Sequence, residues 1–444
     1  MGHPVGDSTP STDDQGAAAL LSGAAKSFTA RAITLPVIAV AGLLVTRVVI
    51  DALGSDGYAS YALIVGLASL VPFLDLGLGA AVTDAVARHA TSDPVDTAAV
   101  LRRSQRILVG VGVGIAIAAW LLAAFGIWHL VLGVSANSSV EVAAAVGFTF
   151  FGAGLPLSLG ARVLQGLGRN HLAVSLQSLQ ALTALLVVAA AASTSAPFWV
   201  FVAGPFLGTF VVAAASWALA RRSLQSLNPS TAPAQDAPPR SPAIALYAVP
   251  MLIIALAEPV AWQADRIILS HASTLNAVAQ YSLVFALFGP LNSLIAASGG
   301  SLWPVFARRR TVGAVTGGDV ARTTAGFAGV GLLLSAAMIL IGPLLVRFMA
   351  RDAVEVPWHL FWAFAALLLL VAMWIPTGMV LTDPQGLRIQ AGLVIGQVII
   401  NIPLSIVLAA RWGAIGPVVA SAVAIAVSNC VGWLIFSVRR APNP

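Results

Sequence analysis

The chain has 444 residues, of which 59% are hydrophobic and only 9% are charged. This composition leaves too few polar residues to cover a soluble protein of this size, so it indicates an integral membrane protein. The net charge of +6 does not indicate a nucleic-acid partner, because most basic residues lie in short segments between apolar stretches, where they meet anionic lipid headgroups.

The N-terminal segment precedes the first apolar stretch. Residues 1–25 are rich in Ser, Thr, Asp and Gly, and they lack the basic start and compact apolar core of a secretory signal. We therefore expect a disordered cytoplasmic tail in this segment and not a cleaved signal peptide.

Twelve apolar stretches follow, and each is long enough to cross about 30 Å of hydrocarbon as an α-helix. The stretches are residues 33–53, 58–83, 106–130, 140–164, 172–192, 197–220, 244–269, 277–305, 325–347, 357–382, 389–410 and 414–437. This pattern predicts an all-α integral membrane protein with about 12 transmembrane helices.

The segments between the stretches alternate in charge. If the N-terminus is cytoplasmic, all but five of the 23 basic residues fall on the cytoplasmic side. The five on the other side are Arg47, Arg266, Arg347, Arg351 and Arg411. Because cytoplasmic loops carry the excess of Lys and Arg, this asymmetry predicts a multi-pass protein of the cell (cytoplasmic) membrane with both termini in the cytoplasm.

A Pro- and Ser-rich segment, residues 223–243, divides six stretches from six. It has no apolar periodicity, so we predict a flexible cytoplasmic linker. The linker separates an N-terminal six-helix bundle, residues 26–222, from a C-terminal six-helix bundle, residues 244–440.

The two halves carry matching motifs. Arg47 precedes Tyr61 at nearly the spacing at which Arg266 precedes Tyr281, and the sixth and twelfth stretches both end in a double arginine, in WALARR and WLIFSVRR. With an even number of stretches in each half, the halves share one orientation and the pseudo-symmetry axis lies along the membrane normal. Two pseudo-repeat bundles with a cleft between them are the expected arrangement.

Three parts of the sequence resemble a known family. LGSDGYASYALIVGLASLVPFLDLGLGAAV is similar to the opening signature of the polysaccharide (Wzx-type oligosaccharide-lipid) flippase family, within the multidrug/oligosaccharidyl-lipid/polysaccharide (MOP) superfamily. LQGLGRNHLAV and the pair Asp265–Arg266 resemble further family features. The resemblance covers nearly the whole chain, and the lipid II flippases of the superfamily fit less well because they carry fourteen spans.

The resemblance implies both a fold and a function. The fold would be a MATE-like pair of six-helix bundles around a central cavity that opens alternately to each side of the membrane. The function would be to flip a polyprenyl-diphosphate-linked oligosaccharide across the membrane for cell-surface polysaccharide biosynthesis.

Arg47 and Arg266 are the candidate substrate-binding residues. If the first and seventh stretches run outward, both arginines lie near the outer third of their helices. Two guanidinium groups that face one cleft can bind a pyrophosphate through charge-assisted hydrogen bonds. The alternative is a pair of local ion pairs at the membrane interface, of Arg47 with Asp51 and of Arg266 with Asp265, and both interpretations stay open.

Glu258 is the candidate coupling residue. It lies near the middle of the seventh stretch, and Pro259 weakens the helix directly after it. A desolvated carboxylate at this depth can gain and lose a proton near neutral pH, which predicts a site for H⁺ or Na⁺ coupling. The alternative is a structural pair with Arg47 or another buried donor. Asp75 is a secondary candidate, although its place near a helix end favours a structural role.

Rival functions differ in the residues they require. An enzyme acting on saccharides would need paired carboxylates on a sizeable outer loop, and the predicted outer loops are short and lack them, so we expect no enzyme and no catalytic residues. The single cysteine, Cys430, lies in the last stretch, and no metal site or cofactor is expected.

Two non-enzymatic alternatives stay open. One is a cation-coupled multidrug exporter of the same superfamily, and the other is a non-transporting scaffold of a polysaccharide assembly complex. The expected partners are the lipid-linked oligosaccharide, membrane lipids and the polymerase and glycosyltransferases of the same pathway.

Overall fold

A computed structural model describes residues 12–68, 78–87, 94–225, 243–300, 302, 306, 309 and 316–438. Within these ranges the chain is almost entirely α-helical and contains no strand. The helices are α1 (Thr12–Ala68), α2 (Leu78–Ala87), α3 (Pro94–Ala124), α4 (Trp128–Leu132), α5 (Ser138–Gly166), α6 (Asn170–Ser193), α7 (Phe198–Gln225), α8 (Ala243–Ala272), α9 (Leu275–Gly300), α10 (Gly317–Ala350), α11 (Trp358–Val380), α12 (Pro384–Trp412) and α13 (Ile415–Val438).

Ten helical segments in the described residues are long and apolar enough to cross a membrane. Nine of them match the third to sixth and the eighth to twelfth predicted stretches. The seventh predicted stretch lies within α8. The chain is therefore a multi-pass, all-α membrane protein, as its composition predicted.

The first two predicted stretches are joined within α1 and are not separated by a loop. Gly54 is the non-helical residue inside this helix, with φ of 72° and ψ of −175°. A side chain would strain this conformation, so glycine allows two helical arms to meet at a single residue. The loop predicted between the first two stretches is thus reduced to a kink, and part of the second stretch, residues 69–77, lies outside the described residues.

The ends of the two predicted bundles also differ from expectation. Helix α1 begins at Thr12, inside the segment 1–25 that we predicted to be a disordered tail. The run AAALLSGAA explains the longer helix, because Ala and Leu are strong helix formers. Residues 1–11 lie outside the described residues, as do residues 226–242 of the predicted linker, whose two ends belong to α7 and α8.

The helices pack mainly within the two sequence halves. In the N-terminal half α5 packs against α3 and α7, and α1 packs against α6; in the C-terminal half α12 packs against α8 and α13, and α10 packs against α11. In the described part of the chain, the main contacts between the halves are made by α1, which meets α8, α9 and α10. A smaller contact joins α4 to α8.

Small residues and lipid-facing side chains complete the architecture. A Cβ atom at Gly112 or Gly160 would collide with the backbone of the neighbouring helix, so glycine lets these helices approach closely. Large apolar side chains such as Leu186, Leu333 and Leu340 are exposed on the outer faces. Exposed apolar faces of this extent fit a surface in contact with membrane lipids.

Candidate functional site

Asp265 is the centre of a buried polar cluster in the C-terminal half. It lies on α8 and is only 1% exposed. Tyr281 of α9 donates its hydroxyl proton to Asp265 Oδ2 over 3.0 Å. Ser421 of α13 approaches Asp265 Oδ2 at 3.3 Å, and Ser405 of α12 approaches Asp265 Oδ1 at 3.4 Å. Four helices therefore converge on one carboxylate.

Asn401 of α12 shares the same two serines. Its Oδ1 lies 3.0 Å from the hydroxyl of Ser405 and 3.3 Å from that of Ser421. Its Nδ2 donates to the carbonyl of Ala261 on α8 over 3.0 Å, which fixes the orientation of the amide. The side-chain oxygen of Asn401 therefore points toward the two serines and Asp265.

The cluster has more acceptor oxygens than protons. Each serine hydroxyl carries one proton, yet the two hydroxyls lie within hydrogen-bonding distance of both Asp265 and Asn401. Two of these four contacts must therefore lack a proton. A bound proton or a small cation would satisfy the surplus oxygens and would neutralise a carboxylate that is costly to bury unpaired. This arrangement can bind a cation.

Arg266, the next residue along the chain, points away from this cluster and toward the N-terminal half. Its guanidinium carbon lies 4.6 Å from the ring centroid of Phe285, within the range of a cation–π contact. A Cβ atom at Gly66 of α1 would lie 2.8 Å from Arg266 Nη1, so the glycine makes room for the arginine between the halves. Among the described residues, Arg266 Nε is buried and has no hydrogen-bond partner.

Arg47 lies in a different environment, at the contact between α1 and α10. Its guanidinium carbon is 4.3 Å from the ring centroid of Phe348, and its Nε is 4.0 Å from Asp51 Oδ2. Asp51 Oδ2 also lies 3.3 Å from Nη1 of Arg351, the residue that ends α10. These residues join the two halves through a cation–π contact and a shared carboxylate.

The two predicted arginines thus have separate sets of contacts. The structure contains the predicted ion pair of Arg47 with Asp51. Within the described residues it contains no such pair between Arg266 and Asp265, because the Asp265 carboxylate faces α12 and α13. Their joint binding of one substrate remains a prediction.

Two other predicted residues lie outside the described side chains. Glu258 occupies a position on α8 that is one helical turn from Ile254 and one from Trp262, but its side chain is outside the described part of the structure. Asp75 lies in the segment 69–77, which is also outside it.

A cavity of about 270 Å³ adjoins the Asp265 cluster inside the C-terminal half. It is bounded by α8, α9, α11, α12 and α13. Its polar lining consists of Asn292, Gln390, Gln397, Asn401 and Ser421, and two indole rings, of Trp262 and Trp374, also line it. Asn401 and Ser421 belong both to the cavity wall and to the Asp265 cluster.

Sequence reasoning identified Asp265 and Arg266 but not the residues that surround them. Gln390, Gln397, Asn401 and Ser405 follow each other at intervals of one or two helical turns in an otherwise apolar stretch. Residues at such intervals lie on one face of a helix. This polar stripe was the available signal for the cavity and the cluster.

Comparison with solved structures identifies the class of fold. The chain is similar to a structure described as the inward-facing conformation of a multidrug resistance MATE family transporter of the MOP superfamily, at 16% identity and a TM-score of 0.66, over 92% of this chain and 98% of that one. It is also similar to the lipid II flippase MurJ in an inward closed conformation, at 12% identity and a TM-score of 0.62, over 93% and 88%. A third similar structure is the Vibrio cholerae MATE transporter VcmN in the bent form, at 16% identity and a TM-score of 0.55, over 95% and 97%.

These identities are low, so the likenesses concern the fold, which is that of MOP-superfamily transporters. The family follows from a second comparison, in which the model of the family described as "Polysaccharide biosynthesis protein" matches residues 28–309. The match covers more than half of the chain, and the chain belongs to this family. The family expected from the sequence is therefore confirmed. No curated protein matches the chain significantly.

Proposed function

We propose that this membrane transporter moves a polyprenyl-diphosphate-linked oligosaccharide across the cytoplasmic membrane by alternating access, for cell-surface polysaccharide biosynthesis. The family of the chain and the two-half architecture support a transporter of this kind. The observation that carries the substrate proposal is the buried Arg266, with an unpartnered Nε among the described residues, at the contact between α8 and α1.

Arg266 suits a diphosphate for reasons of charge and geometry. A cation at membrane depth is costly and is retained where a ligand or a partner compensates it. A guanidinium presents several donors in a fixed plane and binds phosphate oxygens in a bidentate manner, whereas the Phe285 ring supports the cation without consuming a donor. Arg47, at the contact of α1 with α10, is the proposed second phosphate ligand.

The Asp265 cluster is the proposed coupling site. Its surplus of oxygens would be satisfied by H⁺ or Na⁺, and its four helices would pack differently in the two charge states. Glu258, predicted from the sequence, lies nearly two turns earlier on the same helix and remains a proposed second member of the coupling machinery.

The orientation follows from the charge asymmetry of the loops. Both termini and the linker are proposed to lie in the cytoplasm, which puts Arg47 and Arg266 toward the outer side. In a Cys430→Ala background, Ser230→Cys should resist an impermeant maleimide in intact cells and react once the membrane is opened. Efficient labelling in intact cells would reverse the proposed orientation.

The test of the substrate is polymer export by cells that depend on this transporter. Arg266→Ala should abolish export while the protein stays in the membrane, and Arg266→Lys should restore only part of it, because lysine lacks the planar fork. Arg347→Ala is the matched control, since Arg347 is largely exposed and its nearest acidic partner, Asp352, is exposed as well. Full export by the double variant Arg47→Ala, Arg266→Ala would reject the proposal.

A cation-coupled multidrug exporter is the second candidate function. Tyr281, which hydrogen-bonds the buried Asp265, belongs to a cluster of aromatic rings with Phe285, Phe288 and Phe364, and aromatic rings beside an acid favour organic cations. This function predicts that loss of the transporter sensitises cells to cationic dyes and leaves polymer export intact. If the protein is instead a scaffold in an assembly complex, every variant described above should support export.

A further inference from the structure

The cavity next to the Asp265 cluster has polar lining residues that belong neither to the phosphate ligands nor to the coupling site. Three carboxamide side chains that take no part in the cluster face it, from Asn292, Gln390 and Gln397. Its described lining contains no charged side chain. Carboxamides pair with hydroxyl groups as both donors and acceptors, which is the chemistry that this described lining offers.

Gln397 gives the clearest sign that the cavity has a ligand. Its side chain is 9% exposed, and within the described residues its Nε2 has no hydrogen-bond partner. An amide nitrogen that is buried without an acceptor costs free energy, so a site that keeps one is explained by a ligand or water that supplies the acceptor. Thr377, which lies beside the cavity residue Gly378, likewise has a buried hydroxyl without a partner in this part of the structure.

The chemistry of the lining matches a sugar. Each carboxamide can donate to one hydroxyl group and accept from another, which suits a ring that presents neighbouring hydroxyls. The Trp262 and Trp374 indoles add flat apolar surfaces against which the C–H face of a pyranose ring can pack. Gly378 lets the Gln390 amide lie close to α11, because a Cβ atom at Gly378 would lie 3.0 Å from Gln390 Nε2.

We propose that this cavity is a sugar-binding site, in which Gln397, Gln390 and Asn292 bind the hydroxyl groups of a neutral sugar unit of the transported glycolipid. The proposal rests on the proposed function and adds a second contact region to it, separate from the arginines that bind the diphosphate. It assigns the recognition of the glycan to the C-terminal half alone.

The cavity also connects the sugar to the coupling site. Asn401 and Ser421 contribute to the wall of the cavity and hydrogen-bond within the Asp265 cluster. A sugar hydroxyl that donates to Asn401 Oδ1 would release the proton of a serine for Asp265. Occupation of the cavity would thereby give the Asp265 carboxylate one more hydrogen bond and change its need for a bound cation.

The test measures access to the cavity in the full-length transporter, reconstituted in lipid nanodiscs. Cys430 is exposed and is first replaced by Ala, and Ala296→Cys is then introduced, at an exposed position of the cavity wall that makes no proposed hydrogen bond to the sugar. The variant reacts with a small methanethiosulfonate reagent in the presence of glucose, galactose or N-acetylglucosamine. At about ten times its Kd, a sugar that binds should slow the reaction about tenfold. Glycine betaine at equal osmolality, and inorganic pyrophosphate, should not slow it.

The control is Gln177→Cys, which replaces an exposed glutamine of α6 in the N-terminal half. No sugar should protect this position. Protection of Ala296→Cys by none of the three sugars overturns the proposal. A complete lack of reaction also overturns it, since a cavity closed to the reagent is closed to a pyranose ring.

A second variant separates this proposal from the proposed function. Gln397→Leu removes one buried hydrogen bond to the sugar and should weaken export about tenfold, whereas Gln177→Leu should leave export unchanged. If Arg266→Ala abolishes export but no sugar protects Ala296→Cys, the diphosphate site stands and the sugar site is wrong. If sugars protect Ala296→Cys but cells without the transporter still export polymer, the sugar site stands and the proposed function is wrong.

Discussion

The two halves of this transporter share a fold but differ in the chemistry of their buried polar residues. In the C-terminal half, Asp265 is hydrogen-bonded by Tyr281. In the N-terminal half, the residue that precedes Arg47 is Thr46, which hydrogen-bonds with Tyr58. A hydroxyl group thus stands in one half where a carboxylate stands in the other. The two tyrosines are not at matching positions, because Tyr281 matches Tyr61 in the alignment of the two halves, and of these two contacts only the one in the C-terminal half contains a carboxylate.

The helices that surround these contacts differ in the same sense. When the arginines at the start of α6 and α12 are aligned, Asn401 and Ser405 of α12 correspond to Leu182 and Leu186 of α6. Leu186 is exposed on the outer face of the protein, whereas Ser405 is fully buried. The polar residues of the proposed cation and sugar sites therefore lie in the C-terminal half, and apolar residues stand at the matching positions of α6.

The largest expected effect comes from neutralising the acid in the C-terminal half. Asp265→Asn keeps the shape of the side chain but removes the charge that a cation would balance, so transport should fall by at least about a hundredfold and lose its dependence on pH or sodium. Thr46→Val, the matched change in the N-terminal half, should lower transport by no more than about threefold. Uptake into proteoliposomes at varied pH and sodium concentration measures both variants.

The expectations for Asp265→Asn and Thr46→Val can each be contradicted separately. An Asp265→Asn transporter that keeps the native rate and ion dependence would remove the coupling site from this cluster. Equal losses in both variants would mean that the halves contribute alike and that the comparison is mistaken.

Substitution of Glu258 should have the next largest effect on transport. It tests whether a second acid of the C-terminal half takes part in coupling beside Asp265. Glu258→Gln mimics the neutral side chain, so it should bias the transporter toward one side and lower turnover about tenfold while substrate binding is retained. Glu258→Asp should keep part of the activity. If Glu258→Gln has native turnover with an unchanged dependence on pH and sodium, Glu258 takes no part in coupling and Asp265 remains the proposed coupling residue.

The serines test whether the surplus of oxygens around Asp265 holds the cation. Ser405→Ala and Ser421→Ala each remove one ligand of the cluster and should raise the cation concentration for half-maximal transport about tenfold, with little change in maximal rate. Ser216→Ala is the control in the N-terminal half, because Ser216 is buried without a hydrogen-bond partner among the described residues. Removal of the Ser216 hydroxyl group should leave transport unchanged, and the unfolding temperature should stay equal or rise slightly. Unchanged cation dependence in both cluster variants would exclude the serines as ligands.

Much of the fold was predictable because it depends on composition and length. The apolar stretches identified nearly every spanning helix, since a helix that crosses the membrane must be long and apolar whatever it packs against. The join between the first two stretches was missed because it depends on one residue, Gly54, whose positive φ replaces a loop. The helical start at Thr12 was missed because the polar composition of the tail outweighed its Ala- and Leu-rich run.

The site was predictable only in part. Asp265 and Arg266 stand out because ionisable residues are rare at membrane depth, but their partners are common polar residues on α12 and α13. Which of these residues meet Asp265 depends on the packing of helices that are more than a hundred residues apart in the chain. The contact of Arg47 with Phe348 has the same origin, and no local pattern in the sequence indicates it.

The smallest expected effect concerns the ion pair that joins the halves near the end of α10. Arg351 is 59% exposed and lies 3.3 Å from Asp51 across the contact between α1 and α10. Because solvent screens an exposed pair, Arg351→Ala should cost no more than about 0.2–1 kcal/mol in the free energy of unfolding and should lower transport less than twofold. Raising the salt concentration should shrink even this difference. Thermal unfolding at low and high salt measures it, and a salt-independent loss of several kcal/mol would show that this contact, and not the buried C-terminal cluster, determines how the halves are held together.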